Sequence, residues 1–282
     1  MAFWVIDVVG MRRLARGPVE TGPRELLPAT MTVDTLLAEP GAFSAAVDTA
    51  AEGTLPDGAH VRVPVANQDV WAAGVTYLRS RDARMHESDA PDVYDRVYDA
   101  DRPELFFKAS PGRAVGPGDD VGVRVDSGWD VPEPELGLVL DSSGTIVGYT
   151  IGNDISSRSI EAENSLYLPQ AKVFDASCAL GPCLVPIAEA SSPADMRITM
   201  QVRRDETTIY SDAVNVSSMK RTLEELAQWL FKAQSFPVGA VLLTGTAIVP
   251  DDDFTLKRGD EVEISITGLG TLTNRVKLVG DA

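Results

Sequence analysis

Histidine and cysteine are scarce in this sequence, which has two of each among its 282 residues. His60 and His86 are too few for a metal site built mainly from imidazole. The HExxH, Walker A and GxSxG patterns are missing, which argues against zinc proteases, P-loop nucleotide hydrolases and serine hydrolases. Cys178 and Cys183 lie in a long acidic chain without a secretion signal, so we expect two buried thiols and no disulfide.

Long apolar runs are also missing. No uninterrupted apolar stretch approaches the roughly 20 residues that a membrane-spanning helix needs. The first residues, MAFWVIDVVGMRRLARG, place their arginines after the apolar stretch, which is typical of a strand and turn and not of a secretory signal. We therefore expect a cytoplasmic protein with no membrane partner.

Positive charge is low, because 25 Lys and Arg face 42 Asp and Glu and the formal net charge is −17. Such a chain is repelled by polyanions, which argues against nucleic acids and anionic membranes as partners. A small ligand, held through a cation, fits this charge better. The hydrophobic share of 44% and the charged share of 24% are those of a folded globular protein.

Two structural parts are predicted. Residues 1–65 mix short apolar runs with glycine and proline, contain one predicted helix at 43–52, and are interpreted as a small N-terminal domain. Residues 66–282 are rich in alternating strand patterns such as MRITMQV and EVEISITG. One further helix is predicted after Thr222, where a capping box precedes an apolar stripe. The expected fold class is α+β and mostly β.

Carboxylates collect in one predicted hairpin, WDVPEPELGLVLDSSGTIVGYTIGND. A four-residue loop at DSSG sets Glu135 opposite Thr150 and Glu133 opposite Gly152. Because strand side chains alternate, the two glutamates share one face, and Asp154 projects from that face just beyond the end of the ladder. The sequence therefore predicts that three carboxylates converge.

Three converging acids repel one another, and their desolvation is costly unless a cation lies between them. Oxygen ligands favour Mg²⁺, with Mn²⁺ or Ca²⁺ as substitutes, over zinc. The alternative is a solvated acidic strand edge in an acidic protein, and spacing alone does not decide between the two.

Several motifs occur in order between residues 71 and 278. They are PELFFKAS at 103–110, E-x-E at Glu133 and Glu135, GYTIGND ending at Asp154, Ser157-Arg158, Lys172 with Asp175, Gly181-Pro182, GAVLLTGTA at 239–247 and LKRGDEVEISITGLGTLTNRV at 256–276. Together they resemble the fumarylacetoacetate hydrolase superfamily.

The resemblance implies that Glu133, Glu135 and Asp154 bind a divalent metal, usually magnesium. It also implies that Lys172, our candidate catalytic residue, lies beside this metal and contacts substrate or an acidic ligand. The TGT turn containing Thr246 is implied to help hold the substrate carboxylate. The implied fold is a mixed β-sandwich or roll with a small N-terminal domain. The implied assembly is a homodimer or homotetramer.

The lid segment GVTYLRSRDARMHES departs from the family hydrolases, which often carry a His–Glu dyad for water activation. Ser80 and Ala83 stand at the dyad positions, and His86 with Glu87 is a poorly spaced substitute. Ser80 and the lid arginines are candidate contacts for the hydroxyls or carboxylate of a sugar acid, with a solvated helix face as the alternative. The candidate arginines are Arg79, Arg81 and Arg84, and Gln170 is a further candidate.

VPEPELGLV, GNDISSR and IEAENSLYLPQAKVFDASCALGP are similar to the 2-keto-3-deoxy-D-arabinonate dehydratase branch. The resemblance implies a metal-dependent lyase that dehydrates a 2-oxo sugar acid to 2,5-dioxopentanoate. Two alternatives stay open: a metal-dependent C–C bond hydrolase or decarboxylase acting on acylpyruvate or oxaloacetate-like acids, and a sugar-acid binding protein without turnover. In the dehydratase, Lys172 handles a proton or stabilises an enolate, and a neighbouring cation is expected to lower its pKa.

Overall fold

Residues 1–87 and 91–280 are described by the computed structural model. The strands are β1 Ala2–Val8, β2 Met11–Gly17, β3 Glu25–Leu26, β4 Gly53–Thr54, β5 His60–Val61, β6 Asp69–Gly74, β7 Glu104–Ala109, β8 Ala114–Val115, β9 Asp120–Arg124, β10 Asp130–Val131, β11 Pro134–Leu140, β12 Ile146–Asp154, β13 Ser156–Ser157, β14 Cys178–Pro186, β15 Arg197–Arg204, β16 Thr207–Asn215, β17 Ala240–Leu243, β18 Glu261–Ile266 and β19 Gly270–Val279. The α-helices are α1 Val33–Ala38, α2 Ala42–Ala45, α3 Leu78–Glu87, α4 Pro91–Asp99, α5 Arg158–Glu163, α6 Leu168–Lys172 and α7 Leu223–Phe231.

Two mixed sheets form the body of the molecule. The larger has the strand order β4-β3-β2-β1-β14-β12-β11-β17-β6-β7, with β5 beside β1 and β8 beside β14. The smaller has the order β16-β15-β18-β19-β9. One apolar core includes Leu138 and Ile151 of the larger sheet, Met200 and Ile264 of the smaller, and Leu226 of α7. The predicted mostly β fold is confirmed.

Alternation in the smaller sheet follows the sequence pattern. Ile198, Met200 and Val202 on β15 are fully buried, and the residues between them are partly exposed. The helix expected after Thr222 is α7, where the Thr222 hydroxyl accepts a hydrogen bond from Glu225 N at 3.1 Å. These two predictions are confirmed, because each rests on a local period that burial of one face maintains.

The N-terminal strands continue the larger sheet, since β1 pairs with β14 through Phe3 and Leu184. A second apolar core lies here, and it includes Phe3, Leu37 and Phe43. The helix predicted at 43–52 is wrong in length: α2 ends at Ala45 and a 3₁₀ turn follows at Ala46–Asp48. Residues 50–52 are exposed, so no apolar face extends the helix. The division at residue 65 stays a prediction.

The β11–β12 hairpin forms in a register two residues away from the predicted one. Glu135 lies opposite Gly152, because the loop holds five residues and Val147 bulges out of the ladder. Asp154 N donates to Glu133 O at 2.9 Å, so Asp154 lies opposite Glu133, one residue beyond the last ladder pair, Pro134–Asn153. A shift of two residues leaves every side chain on its original face. The predicted convergence of the three acids therefore survives the register error.

Both cysteines are free and buried, as the sequence predicted. None of the helices in the described part of the chain combines the length and apolar character needed to span a bilayer.

Candidate active site

The three predicted carboxylates meet in the interior. Glu133 lies just before β11, Glu135 is in β11 and Asp154 ends β12, and their exposed fractions are 3%, 1% and 1%. One carboxylate oxygen of each residue lies within 4.8 Å of those of the other two. The alternative of a solvated acidic edge is wrong, because the hairpin is covered on both faces.

Glu133 is surrounded by cations. Its Oε2 lies 2.8 Å from Lys172 Nζ, and its Oε1 lies 2.8 Å from Nη2 of both Arg84 and Arg158. Burial alone would raise the pKa of Glu133, but Lys172 and Arg84 outweigh burial and lower it to about 2. Glu133 is therefore ionised at neutral pH.

The negative charge of Glu135 is compensated much less than that of Glu133. Its Oε2 accepts a hydrogen bond from Gly245 N at 2.6 Å, and it forms no ion pair with any other described residue. Burial, and then the charges of Asp154 and Glu133, raise its pKa well above the usual range. A buried carboxylate beside two others without a counter-ion fits a divalent cation, since ionised carboxylate oxygens are hard ligands.

Lys108 is a site residue that the sequence analysis missed, although it lies within the quoted PELFFKAS segment. It is fully buried, forms an ion pair with Asp154, and donates to Ile155 O at 3.0 Å and Lys172 O at 2.5 Å. One ammonium group thus joins β7 to the end of β12 and to α6. It also fixes the backbone that carries Lys172.

Lys172 lies at the centre of the cluster. Its Nζ donates to Asp154 Oδ2 at 3.0 Å and to Ser156 Oγ at 2.6 Å, besides its contact with Glu133. Burial alone would lower the pKa of Lys172, but Asp154 and Glu133 outweigh burial and raise it. The lowered pKa expected from the sequence requires a cation beside the amine, whereas the two carboxylates act in the opposite direction.

A small cavity opens onto this cluster. Ser80 and Thr246, two of the predicted substrate contacts, line it together with Lys172 and the three carboxylates. Further lining residues are Ala73, Gly74, Val75, Arg84, Glu104, Phe106, Glu161, Leu168 and Gly245.

Arg81 and Gln170, the other two predicted contacts, do not line the cavity. On α3, Ser80 and Arg84 are four residues apart and share one face, whereas Arg81 points away and binds Asp82 at 2.7 Å. On α6, Leu168 and Lys172 share the inner face, and Gln170 between them is exposed. The helical period therefore directs Ser80 and Lys172 into the cavity and Arg81 and Gln170 away from it.

Glu104 was also missed, since no spacing rule connects it to the E-x-E motif. It stands at the start of β7 opposite Gly74, where an added Cβ would lie 2.1 Å from Glu104 Oε2. Glu104 is partly exposed and lines the cavity, and burial, followed by the charge of Glu161, raises its pKa to about 7. Glycine at residue 74 leaves room for this carboxyl group, which can gain or lose a proton near neutral pH.

His86 and Arg79 of the lid segment face outward. His86 Nε2 lies 3.2 Å from Asp252 Oδ2 with its side chain 75% exposed, and Arg79 binds Asp212 at 2.6 Å. The side chain of Glu87 lies outside the described residues. No histidine lines the cavity in the described part of the chain, so His86 is not placed to serve as a water-activating base there.

A family model described as fumarylacetoacetate (FAA) hydrolase C-terminal matches residues 70–277. The chain belongs to the fumarylacetoacetate hydrolase family. The match contains all three carboxylates, Lys172 and Thr246.

Within this family, the chain is similar to two curated dehydratases. It is 55% identical over 220 residues to a probable 2-keto-3-deoxyxylonate dehydratase of Haloferax volcanii, covering 78% of this chain and 76% of that protein. It is 45% identical over 218 residues to the 2-dehydro-3-deoxy-D-arabinonate dehydratase of Saccharolobus solfataricus, covering 76% and 73%. A solved 2-keto-3-deoxy-D-arabinonate dehydratase complexed with magnesium and 2,5-dioxopentanoate has a TM-score of 0.86 and 34% identity, with full coverage of both chains.

Replacing Lys108 with Met is expected to lower the free energy of unfolding by about 3–5 kcal/mol, because Asp154 would lose a fully buried counter-ion. Urea denaturation measures this loss. Lys277→Met, at an exposed position on β19, is the matched control and should change stability by no more than about 0.5 kcal/mol. Equal stability of the two variants would contradict a structural role for the Lys108–Asp154 pair.

Proposed function

We propose that the protein is a magnesium-dependent lyase that dehydrates a 2-keto-3-deoxy sugar acid, 2-keto-3-deoxy-D-arabinonate foremost, to 2,5-dioxopentanoate. The observation that carries the proposal is the cavity in which three buried carboxylates meet Lys172 and Glu104. The similarity to the two dehydratases and to the solved complex supports the choice of substrate.

Glu133, Glu135 and Asp154 are the proposed magnesium ligands, and the uncompensated carboxylate of Glu135 is the feature that favours a cation most directly. When bound, the ion supplies a positive charge that stabilises the enolate of a 2-oxo acid. Mn²⁺ or Ca²⁺ are substitutes with the same ligand preference.

Thr246 and Ser80 are the proposed hydroxyl contacts to substrate. Thr246 follows Gly245, whose N–H binds Glu135, so its side chain lies next to the carboxylate cluster. We assign it to the carboxylate of the 2-oxo acid. Ser80 enters the cavity from the lid beside Arg84, and both can bind the hydroxyl groups at the other end of the substrate.

Glu104 and Lys172 divide the proton and charge transfer in this proposal. Glu104, with its pKa near 7, takes the proton from C3 and returns it to the C4 hydroxyl as water leaves. Lys172, held as an ammonium by two carboxylates, stabilises the negative charge on the substrate oxygen while C3 is deprotonated. This assigns Lys172 the enolate-stabilising role and moves the base to Glu104.

Elimination requires no external water, whereas C–C bond hydrolysis requires a base that directs water to a carbonyl. Ser80 and Ala83 occupy the positions at which the family hydrolases carry His and Glu. A positioned acid–base group typically contributes about 10²–10⁴ in rate, so hydrolysis without the dyad is expected to be slow. A homodimer or homotetramer and a cytoplasmic location stay predictions from the sequence.

The purified protein with saturating Mg²⁺ should form 2,5-dioxopentanoate from 2-keto-3-deoxy-D-arabinonate faster than it releases pyruvate from acylpyruvates. Coupling to a semialdehyde dehydrogenase measures the first product, and lactate dehydrogenase measures the second. Chelation with EDTA is the control and should stop the dehydration. Faster acylpyruvate cleavage would favour the hydrolase alternative, and a thermal shift with substrate but no product would favour the binding protein.

Glu135→Gln should remove the rise in melting temperature that Mg²⁺ causes in the parent, because an amide replaces a negatively charged ligand. Dehydration should fall by at least about 10²-fold. Differential scanning fluorimetry with and without Mg²⁺ provides a readout separate from activity. Glu224→Gln, at an exposed position on α7, is the control. A parent-like magnesium response in Glu135→Gln would place the metal elsewhere.

The pH dependence of kcat/KM should follow the ionisation of Glu104. Its pKa of about 7 means that the base form grows as pH rises, so kcat/KM should increase from about pH 6 to about pH 8 and level off above that. Glu104→Gln should lower kcat by about 10²–10⁴-fold and remove this rising limb. A pH–rate profile of both proteins tests the assignment, and an unchanged limb in the variant would refute it.

A further inference from the structure

Glu161 lies in the cavity but takes part in none of the steps assigned above. It is on α5 with an exposed fraction of 6%, and it is not a member of the group that could hold the metal. Its Oε2 lies 3.2 Å from Arg84 Nη1 and 3.6 Å from Arg158 Nη1. A carboxylate enclosed at a cavity wall without a metal role needs a separate explanation.

The two arginines determine where Glu161 stands relative to the carboxylate cluster. Arg84 and Arg158 each bind Glu133 through Nη2 and face Glu161 through Nη1. Glu161 therefore lies across the guanidinium groups from Glu133. Gly245 N donates instead to Glu135, a different carboxylate of the cluster. Glu161 and the TGT turn are therefore connected to different carboxylates of the cluster.

Glu161 Oε2 is also an available acceptor. It is buried and receives no hydrogen bond of good geometry from the described residues, although two guanidinium groups are near it. The i, i+3 spacing of Arg158 and Glu161 on α5 holds the carboxylate in place. An oriented acceptor of this kind can bind a substrate hydroxyl or receive a proton.

The proposed reaction needs a second proton transfer at the far end of the substrate. Loss of C3–H and of the C4 hydroxyl gives 5-hydroxy-2-oxopent-3-enoate and water. The aldehyde forms only after a proton leaves C5. The hydroxyl end of the substrate, which includes C5, is assigned above to Ser80 and Arg84, and Arg84 Nη1 lies 3.2 Å from Glu161 Oε2.

We propose that Glu161 is the base that removes the C5 proton; this inference rests on the proposed function. The C5–H electron pair forms the C4=C5 bond, the C3=C4 pair forms C2=C3, and the negative charge moves to the C2 oxygen. Protonation at C3 gives the C5 enol. Protonation at C4 with loss of the enol hydroxyl proton then gives the aldehyde, so the step needs no oxidant and releases nothing further.

Glu161→Gln keeps the size and hydrogen-bonding capacity of the side chain but cannot accept the proton. We expect the fraction of consumed substrate that appears as 2,5-dioxopentanoate to fall at least tenfold, with 5-hydroxy-2-oxopent-3-enoate accounting for the difference by NMR. Glu161→Asp, which restores a carboxylate, should recover part of the aldehyde. Glu163→Gln, at an exposed position on the same helix, should give the parent product ratio.

A parent-like product ratio in Glu161→Gln would overturn the inference. So would a folded Glu161→Gln that consumes no substrate, because a base needed only at C5 leaves the first elimination measurable.

A measurement on the unmodified enzyme tests the same step independently of any variant. With substrates carrying deuterium at the pro-R or the pro-S position of C5, an enzymatic base removes one label completely and retains the other. Equal loss of both labels would mean that the step occurs in solution, which would overturn the role of Glu161 while leaving the dehydratase proposal intact. A parent that consumes neither substrate would instead refute the proposed function itself.

Discussion

Compensation of buried carboxylates is the constraint on which the rest of the site depends. Glu133, Glu135 and Asp154 lie within a few ångströms of one another in the interior, an arrangement that costs several kcal/mol per uncompensated ion. Ion pairs with Lys108 and Lys172 offset this cost at Asp154. Ion pairs with Lys172 and two arginines offset it at Glu133. Glu135 receives no such partner, and this asymmetry is why a cation fits the cluster.

Parity along a strand could be predicted from the sequence, and exact register could not. The three acids converge as expected because the period of two depends only on backbone geometry. The loop length and the bulge at Val147 depend on packing against neighbouring strands, which local pattern does not reveal. The predicted register was wrong by two residues, an even number. Each side chain was therefore assigned to the correct face of the sheet but to the wrong cross-strand partner. The predicted helix at 43–52 was too long for a similar reason. Its length depends on tertiary packing, and residues 50–52 are exposed.

Long-range partners explain what the sequence analysis missed in the site. Lys108, Glu104 and Glu161 reach the cluster from β7 and α5, and no spacing rule connects these segments to the E-x-E motif. Conversely, Arg81 and Gln170 lie next to residues that line the cavity but point away from it. The resemblance identified the correct segments, whereas the helical period decided which residue of each segment faces inward.

The charges around the cavity limit which ligands it can bind without leaving uncompensated charge. Among the described residues, five carboxylates line the cavity (Glu104, Glu133, Glu135, Asp154 and Glu161). Arg84 and Lys172 line it too, and Lys108 and Arg158 form ion pairs with its carboxylates, which leaves one negative charge when all nine groups are ionised. A divalent cation alone would turn this into one positive charge, and a monoanionic 2-oxo acid would then bring the total to zero. Because uncompensated charge is costly in a desolvated cavity, the cluster is suited to binding the ion and the acid together. A neutral sugar would leave the positive charge unbalanced, so the cavity favours the acid over the sugar before any hydroxyl is recognised.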